Sequence, residues 1–198
     1  MPKKIIGKGA EAIIYLDNSI IIKDRIKKRY RIKEIDSSLR KSRTKRETKI
    51  LEKLSSIGFP VPKLIHSDSK SIIFMAKIKG KKLRDVLESS DYKKICFGLG
   101  KMIRTLHENK IIHGDLTTSN MIMENDGRIV FIDFGLGFFS EKTEDMAVDL
   151  HLMKQALDSS HYRISESAFR AVTRGYGNRE VQKRLGLVEL RGRNKGKS

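Results

Sequence analysis

The chain carries a single cysteine in 198 residues. That excludes an internal disulfide and any cysteine-built metal site within one chain. Cys96 lies in a helical stretch and reads as a small buried side chain, which fits a reducing, cytoplasmic setting. No apolar run approaches the length that spans a bilayer. The start, M-P-K-K-I-I-G-K-G, is charged and runs straight into a strand, unlike a secretory leader. A membrane partner is therefore not expected. No internal repeat is visible. Acidic residues are scarce: 24 against 42 lysines and arginines, a formal net charge of +18. An excess this large implies an acidic partner or a polyanion. The basic residues gather in K-D-R-I-K-K-R-Y-R-I-K at 23–33, in R-K-S-R-T-K-R at 40–46, and in the tail at 184–198. Charge runs are commonly just solvated faces, but contacts from them to an RNA backbone would be sequence-independent and salt-sensitive. The last residues, R-G-R-N-K-G-K-S at 191–198, read as a flexible basic tail.

The most informative residues are H-G-D-L-T-T-S-N at 113–120 and D-F-G at 133–135. Their order and spacing are those of a protein-kinase-type catalytic loop and metal-binding loop. Asp115 stands where a general base belongs. Asn120 and Asp133 stand where magnesium ligands belong, and magnesium prefers oxygen donors of these types. Between the loops, M-I-M-E-N-D-G-R-I-V-F-I reads as two strands around an Asn-Asp-Gly turn. A lone D-F-G is common by chance; the ordered set with a hairpin inside it is not.

Four upstream parts would complete such a site. I-I-G-K-G-A-E-A at 5–12 offers a phosphate loop through Ile6, Gly7, Gly9 and Ala10, with Ala12 at the third glycine position. Lys23 ends the apolar run S-I-I-I-K, fourteen residues after Gly9, and would contact the α and β phosphates. Glu47 is the best partner for Lys23, because Ile50, Leu51 and Leu54 follow it on one helical stripe. Glu52 and Glu34 are the alternatives, and both read as solvated. The helix is expected over 38–54. In S-I-I-F-M-A-K-I-K-G at 71–80, Met75 would sit behind an adenine, and Ala76 to Ile78 would offer it backbone groups.

Downstream, short and long helices are expected over 82–88 and 91–109, the longer with Ile95, Leu99, Met102, Ile103 and Leu106 as its buried stripe. About ten residues lie between the D-F-G glycine and a helix near Asp145, and no A-P-E motif follows. Asp149 has two open readings: it holds the catalytic-loop backbone, or it is a carboxylate favoured by a helix start. Gly114 replaces the arginine that commonly receives an activation-loop phosphate. Thr117 stands where many kinases keep a lysine, so slow transfer or hydrolysis by water becomes plausible. The fold class is α+β: a bilobal protein-kinase-like fold with a small antiparallel-sheet N-lobe, one main helix, and a minimal helical C-lobe lacking an activation segment. One kinase-like domain is expected over 1–198, with lobes at 1–77 and 78–190 and a basic tail at 191–198.

These pieces together resemble the small kinase-like ATPase subunit of the KEOPS complex. The matching segments are G-K-G-A-E-A, K-K-R-Y-R with E-I-D and L-R-K-S-R-T-K-R-E, H-G-D-L-T-T-S-N, I-D-F-G-L-G-F, E-D-M-A-V-D-L and the R-G-R tail. RIO kinases are the nearest competitor, but they carry extra amino-terminal structure. The resemblance implies use of ATP with Mg2+ and a supporting role in forming threonylcarbamoyl-adenosine in tRNA. It further implies binding to the threonylcarbamoyl-transferase subunit and other KEOPS subunits, with tRNA as a further partner. Family members are described as ATPases in the complex and serine/threonine kinases in isolation, and occur alone or fused to the transferase. The alternative is a basic, kinase-shaped scaffold that binds tRNA and the transferase with little catalysis.

Overall fold

The computed structural model describes residues 3–195. Among them the chain runs β1 (Lys4–Lys8), β2 (Ala12–Asp17), β3 (Ile20–Arg25), α1 (Lys33–Ser56), β4 (Leu64–Ser67), β5 (Ile72–Ala76) and β6 (Gly80–Lys82). It continues with α2 (Leu83–Val86), α3 (Tyr92–Glu108), β7 (Ile111–Ile112), β8 (Met121–Glu124), β9 (Ile129–Phe131), β10 (Phe138–Phe139), α4 (Thr143–Ser160), α5 (Ser165–Tyr176) and α6 (Arg179–Lys195). Two compact units result. One holds the chain up to Gly80 together with Glu124–Leu136; the other holds Lys81–Met123 and the chain from Gly137.

The first unit is built on an antiparallel sheet of order β1-β2-β3-β5-β4. Its strands are rich in isoleucine, whose branched side chain suits a pleated, half-buried surface. α1 lies against β4 and β5 and buries Ile50, Leu51 and Leu54 almost completely. Full burial of such side chains stabilises by about 1.5–3 kcal/mol each. The helix begins at Lys33, earlier than expected, because Glu34 and Asp36 in its first turn complement the helix dipole. The returning segment joins this unit through Phe131, whose N–H donates to the Pro60 carbonyl at 3.0 Å. Its ring meets Phe59 edge-on at 5.4 Å. The expected turn is present: Glu124 N–H donates to Arg128 C=O, and Gly127 N–H to Glu124 C=O.

In the second unit α3 buries Leu99, Ile103 and Leu106, with Ile95 and Met102 half-buried. It crosses α5 at two glycines. A Cβ on Gly100 would lie 2.0 Å from the Val172 carbonyl oxygen, and one on Gly175 would lie 2.0 Å from that of Phe97. Only residues without a side chain allow this approach. α4 lies against α6, where Lys154 and Glu189 pair at 2.9 Å and Val181 and Leu185 are buried. The expected flexible tail needs correction. Its first part is helical, since α6 continues to Lys195 and Arg191 pairs with Glu144 at 2.8 Å; residues 196–198 lie outside the described ones.

Residues 136–142 are all that separates D-F-G from α4. Phe138 and Phe139 pair antiparallel with Ile112 and Ile111, and Ser140 N–H donates to Lys110 C=O at 2.9 Å. Among the described residues no helix is long and apolar enough to cross a membrane.

Candidate active site

β3 carries two cations on one face of the sheet, because alternate strand residues point the same way. Lys23 and Arg25 are 5% and 4% exposed, and both reach Glu47 on α1. Lys23 Nζ lies 2.7 Å from Glu47 Oε1, and Arg25 donates to Glu47 Oε2. Arg25 Nε also donates to Thr44 Oγ1 at 3.2 Å. Glu47 is buried, whereas Glu34 and Glu52 are exposed. Lys23 Nζ makes a second 2.7 Å contact, to Asp133 Oδ1. Burial alone would drive the Lys23 ammonium down. The Glu47 and Asp133 carboxylates outweigh that, Arg25 opposes them, and the net direction is upward. Lys23 therefore stays charged near neutrality.

Asp133 has φ +62°, a costly conformation for a non-glycine residue. Gly135 N–H donates back to its Oδ1 at 3.2 Å. A Cβ on Gly135 would stand 2.9 Å from that oxygen and 3.1 Å from Lys23 Nζ, so a side chain there would press on the Lys23–Asp133 contact.

The loop expected to meet phosphates closes between β1 and β2, with Gly9 N–H donating to Ala12 C=O at 2.9 Å. Gly7 is half-buried; Gly9 and Ala10 are exposed. Ile6 sits at a register shift in β1 and is exposed. Ala12 is buried opposite Arg25 on β3, a strand position that needs no glycine. Met75 is buried on β5. Ala76 N–H donates to Lys63 C=O and Lys77 N–H to Ser19 C=O, both at 2.9 Å. Two amides expected to meet an adenine are thus already used by neighbouring backbone. Ile78 follows, half-buried.

In the second unit, Asp149 decides between its two readings. Its carboxylate accepts from His113 N–H and Gly114 N–H, both at 2.9 Å. It holds the backbone at the start of the H-G-D-L-T-T-S-N loop from within the core, 1% exposed. His107 Nε2 also lies 3.2 Å from Asp149 Oδ2, and its Nδ1 lies 2.9 Å from the Tyr176 hydroxyl. Asp149 can only accept, so Nε2 of His107 carries a proton and donates to it. On the loop, Asn120 Nδ2 donates to Asp115 O at 2.9 Å and to Asp115 Oδ2 at 2.8 Å. Both partners are acceptors, so the amide orientation is fixed. Thr118 is buried and meets His161 Nε2 at 3.0 Å.

The RIO domain family matches residues 16–137. A KEOPS complex subunit Bud32 from Pyrococcus abyssi is 44% identical, over 98% of this chain and 98% of its own length. The chain belongs to the Bud32 family of RIO-domain proteins. It is also 42% identical, over 98% of its length, to a probable bifunctional tRNA threonylcarbamoyladenosine biosynthesis protein of Methanothermobacter thermautotrophicus, of which it spans 37%. The crystal structure of the Rio2 kinase-ADP/Mg2+-phosphoaspartate complex from Chaetomium thermophilum overlays with a TM-score of 0.68 at 17% identity. That match covers 97% of this chain and 70% of the other. It shows that this Bud32-family chain has the kinase-like fold, with an antiparallel-sheet lobe and a helical lobe.

The donor chemistry of this Bud32-family chain suits magnesium. Asp133 offers a carboxylate whose side chain is 49% exposed. The Asn120 amide directs its donors to Asp115, which leaves Oδ1 as the atom it would offer a cation. Sequence reading missed Arg25, His107 and Tyr176. Arg25 had a signal, since it falls two residues after Lys23 on a strand; inside a lysine-rich run it looked like another solvated charge. His107 and Tyr176 meet across 69 positions, and nothing local marks that pair.

Proposed function

We propose that this single kinase-like domain is an ATPase and serine/threonine protein kinase that uses Mg2+ and ATP. It would serve a KEOPS complex in the threonylcarbamoyl-adenosine modification of tRNA, beside the transferase subunit and in a cytoplasmic setting. The observation that carries the catalytic part is Lys23 Nζ held 2.7 Å from both Glu47 and Asp133. The complex and tRNA are supported by the names of relatives that match along nearly all of this chain.

Each residue has a role. Lys23 binds the α and β phosphates, and Glu47 fixes Lys23. Gly7, Gly9 and Ala10 bring backbone amides close to phosphate oxygens. Met75 and the run from Ala76 to Ile78 border the adenine. Asp133 and Asn120 hold magnesium, which neutralises phosphate charge when bound. Asp115 accepts the proton of the attacking hydroxyl, whether serine, threonine or water. Asp149, oriented by His107 and Tyr176, keeps the backbone that carries Asp115 in place.

The test is phosphate release from radiolabelled ATP by the full chain alone, with tRNA, and with the transferase subunit. Turnover should need Mg2+ and should rise with partner or tRNA while self-labelling falls. Asp133→Ala should cost at least about 10²–10³-fold with the folded signal kept. Undiminished turnover in that variant rules the assignment out. Tight tRNA binding without turnover in the wild type favours the scaffold reading.

A further inference from the structure

The basic runs at 23–33 and 40–46 are open to an acidic partner, a polyanion or solvent alone on sequence grounds. Beyond Lys23 and Arg25, Lys28, Arg31, Arg40 and Arg43 in these runs have intramolecular partners. Asp36 accepts from Arg40 Nε at 2.8 Å and from Lys28 N–H at 3.1 Å. Lys28 Nζ in turn donates to the Ala10 carbonyl in the phosphate loop. The next loop residue, Glu11, pairs with Arg43 NH1 at 2.7 Å and with Arg31 NH2 at 3.5 Å. Its own carbonyl accepts from Ile26 N–H at 3.0 Å.

On α1, positions 36, 40, 43, 44 and 47 share one face, by the three- and four-residue spacing of helix neighbours. That face holds, in succession, the 26–31 segment, the phosphate loop, and the Lys23–Arg25 pair. We propose that Glu11 is a positioning residue: clamped by Arg43 and Arg31, it latches the phosphate loop to the helix that carries Glu47. Loop and helix are then set together, before any nucleotide binds.

The physical reason is preorganisation. A loop rich in glycine and alanine samples many backbone states, and fixing it costs binding free energy. Two guanidiniums on the Glu11 carboxylate and the Lys28 ammonium on the Ala10 carbonyl fix it in advance. They also leave the loop's surroundings with excess positive charge, which suits phosphates. The ion pairs are partly exposed, with side chains 42%, 27% and 21% accessible for Glu11, Arg43 and Arg31. Each contributes modestly and weakens with salt.

The inference rests on the nucleotide reading above, and the experiment separates the two. Amide hydrogen exchange is followed over residues 5–17 of the full chain without nucleotide. Mg-ATP affinity is measured by displacement of a fluorescent ATP analogue. The variants are Glu11→Gln, Arg43→Met and the double. Each single change should speed exchange at residues 7–12. Each should also weaken Mg-ATP by about three- to fivefold, the worth of a partly exposed ion pair, with KM rising more than kcat falls. The double variant should be no worse than the poorer single, because the two residues act through one contact. Unchanged loop exchange in both singles overturns the latch, and so does strict additivity in the double. Should Arg43→Met lose its folded circular-dichroism signal, Glu11→Gln decides alone. A wild type that binds no Mg-ATP overturns the nucleotide reading, while the exchange data still judge the latch.

Discussion

Glu47 stands between two buried cations, and that fixes what its loss would do. With the carboxylate neutralised, Lys23 and Arg25 face each other at 5% and 4% exposure, with only the half-exposed Asp133 to answer them. Removing one member of a buried pair typically costs about 3–5 kcal/mol. Glu47→Gln should therefore lower the urea midpoint strongly and abolish turnover. Lys23→Met is different. It leaves the Arg25–Glu47 pair intact, and Asp133 can turn to water. That variant should lose turnover while its urea midpoint moves much less. Equal midpoints for the two would show that Arg25 does not support Glu47.

α3 contains two glycines whose substitutions should have opposite signs. Gly98 has open space where a Cβ would go, so Gly98→Ala should stabilise by about 0.5–1 kcal/mol through helix propensity. A Cβ on Gly100 would lie 2.0 Å from the α5 backbone. Gly100→Ala must push the helices apart and should cost about 3 kcal/mol or more, the upper range for overpacking. At about 2–4 °C per kcal/mol for a chain of this size, thermal melting resolves both. At the start of α1, the Arg40 hydrogen bond, helped by the Lys28 amide, holds the Asp36 carboxyl below its ordinary 3.8. A depressed carboxyl stabilises the fold above that value, and the gain is lost as pH falls through the lower, folded-state value. Asp36→Asn should thus be less stable than wild type at neutral pH, and the gap in urea midpoint should close in acid. A gap that persists undiminished at low pH would show that charge at Asp36 is not what matters.

What sequence could reveal divides along the same lines. The apolar stripe behind Glu47 and the run before Lys23 are local patterns, and both elements form where those patterns lie. α1 starts earlier than its stripe because its first turn is set by Asp36 and its partners, while Ile35 and Leu39 are exposed. The Gly100–Gly175 crossing joins helices distant in sequence. A glycine inside a helical pattern marks only a weak spot until its neighbour is known.

For the whole molecule, the charge of +18 is the dominant fact, tempered by the basic residues already engaged inside the fold. Binding to tRNA should fall linearly on a log–log salt plot, by about 0.7–0.9 per phosphate contacted. It should be unchanged in Asp133→Ala, which removes a carboxylate from the site and touches no basic surface. A flat salt response would rule out backbone contacts as the source of affinity.

The pairing of Phe138 and Phe139 with Ile112 and Ile111 has a consequence for acceptor choice. The seven residues between D-F-G and α4 spend Phe138, Phe139 and Ser140 on pairing with residues 110–112, which leaves too short a segment to lay out a docking shelf for a peptide. Short peptides would then compete on hydroxyl availability alone. A degenerate peptide array labelled by this protein should return no consensus around the modified serine or threonine. Discrimination among protein targets would have to be delegated to whichever subunit delivers them.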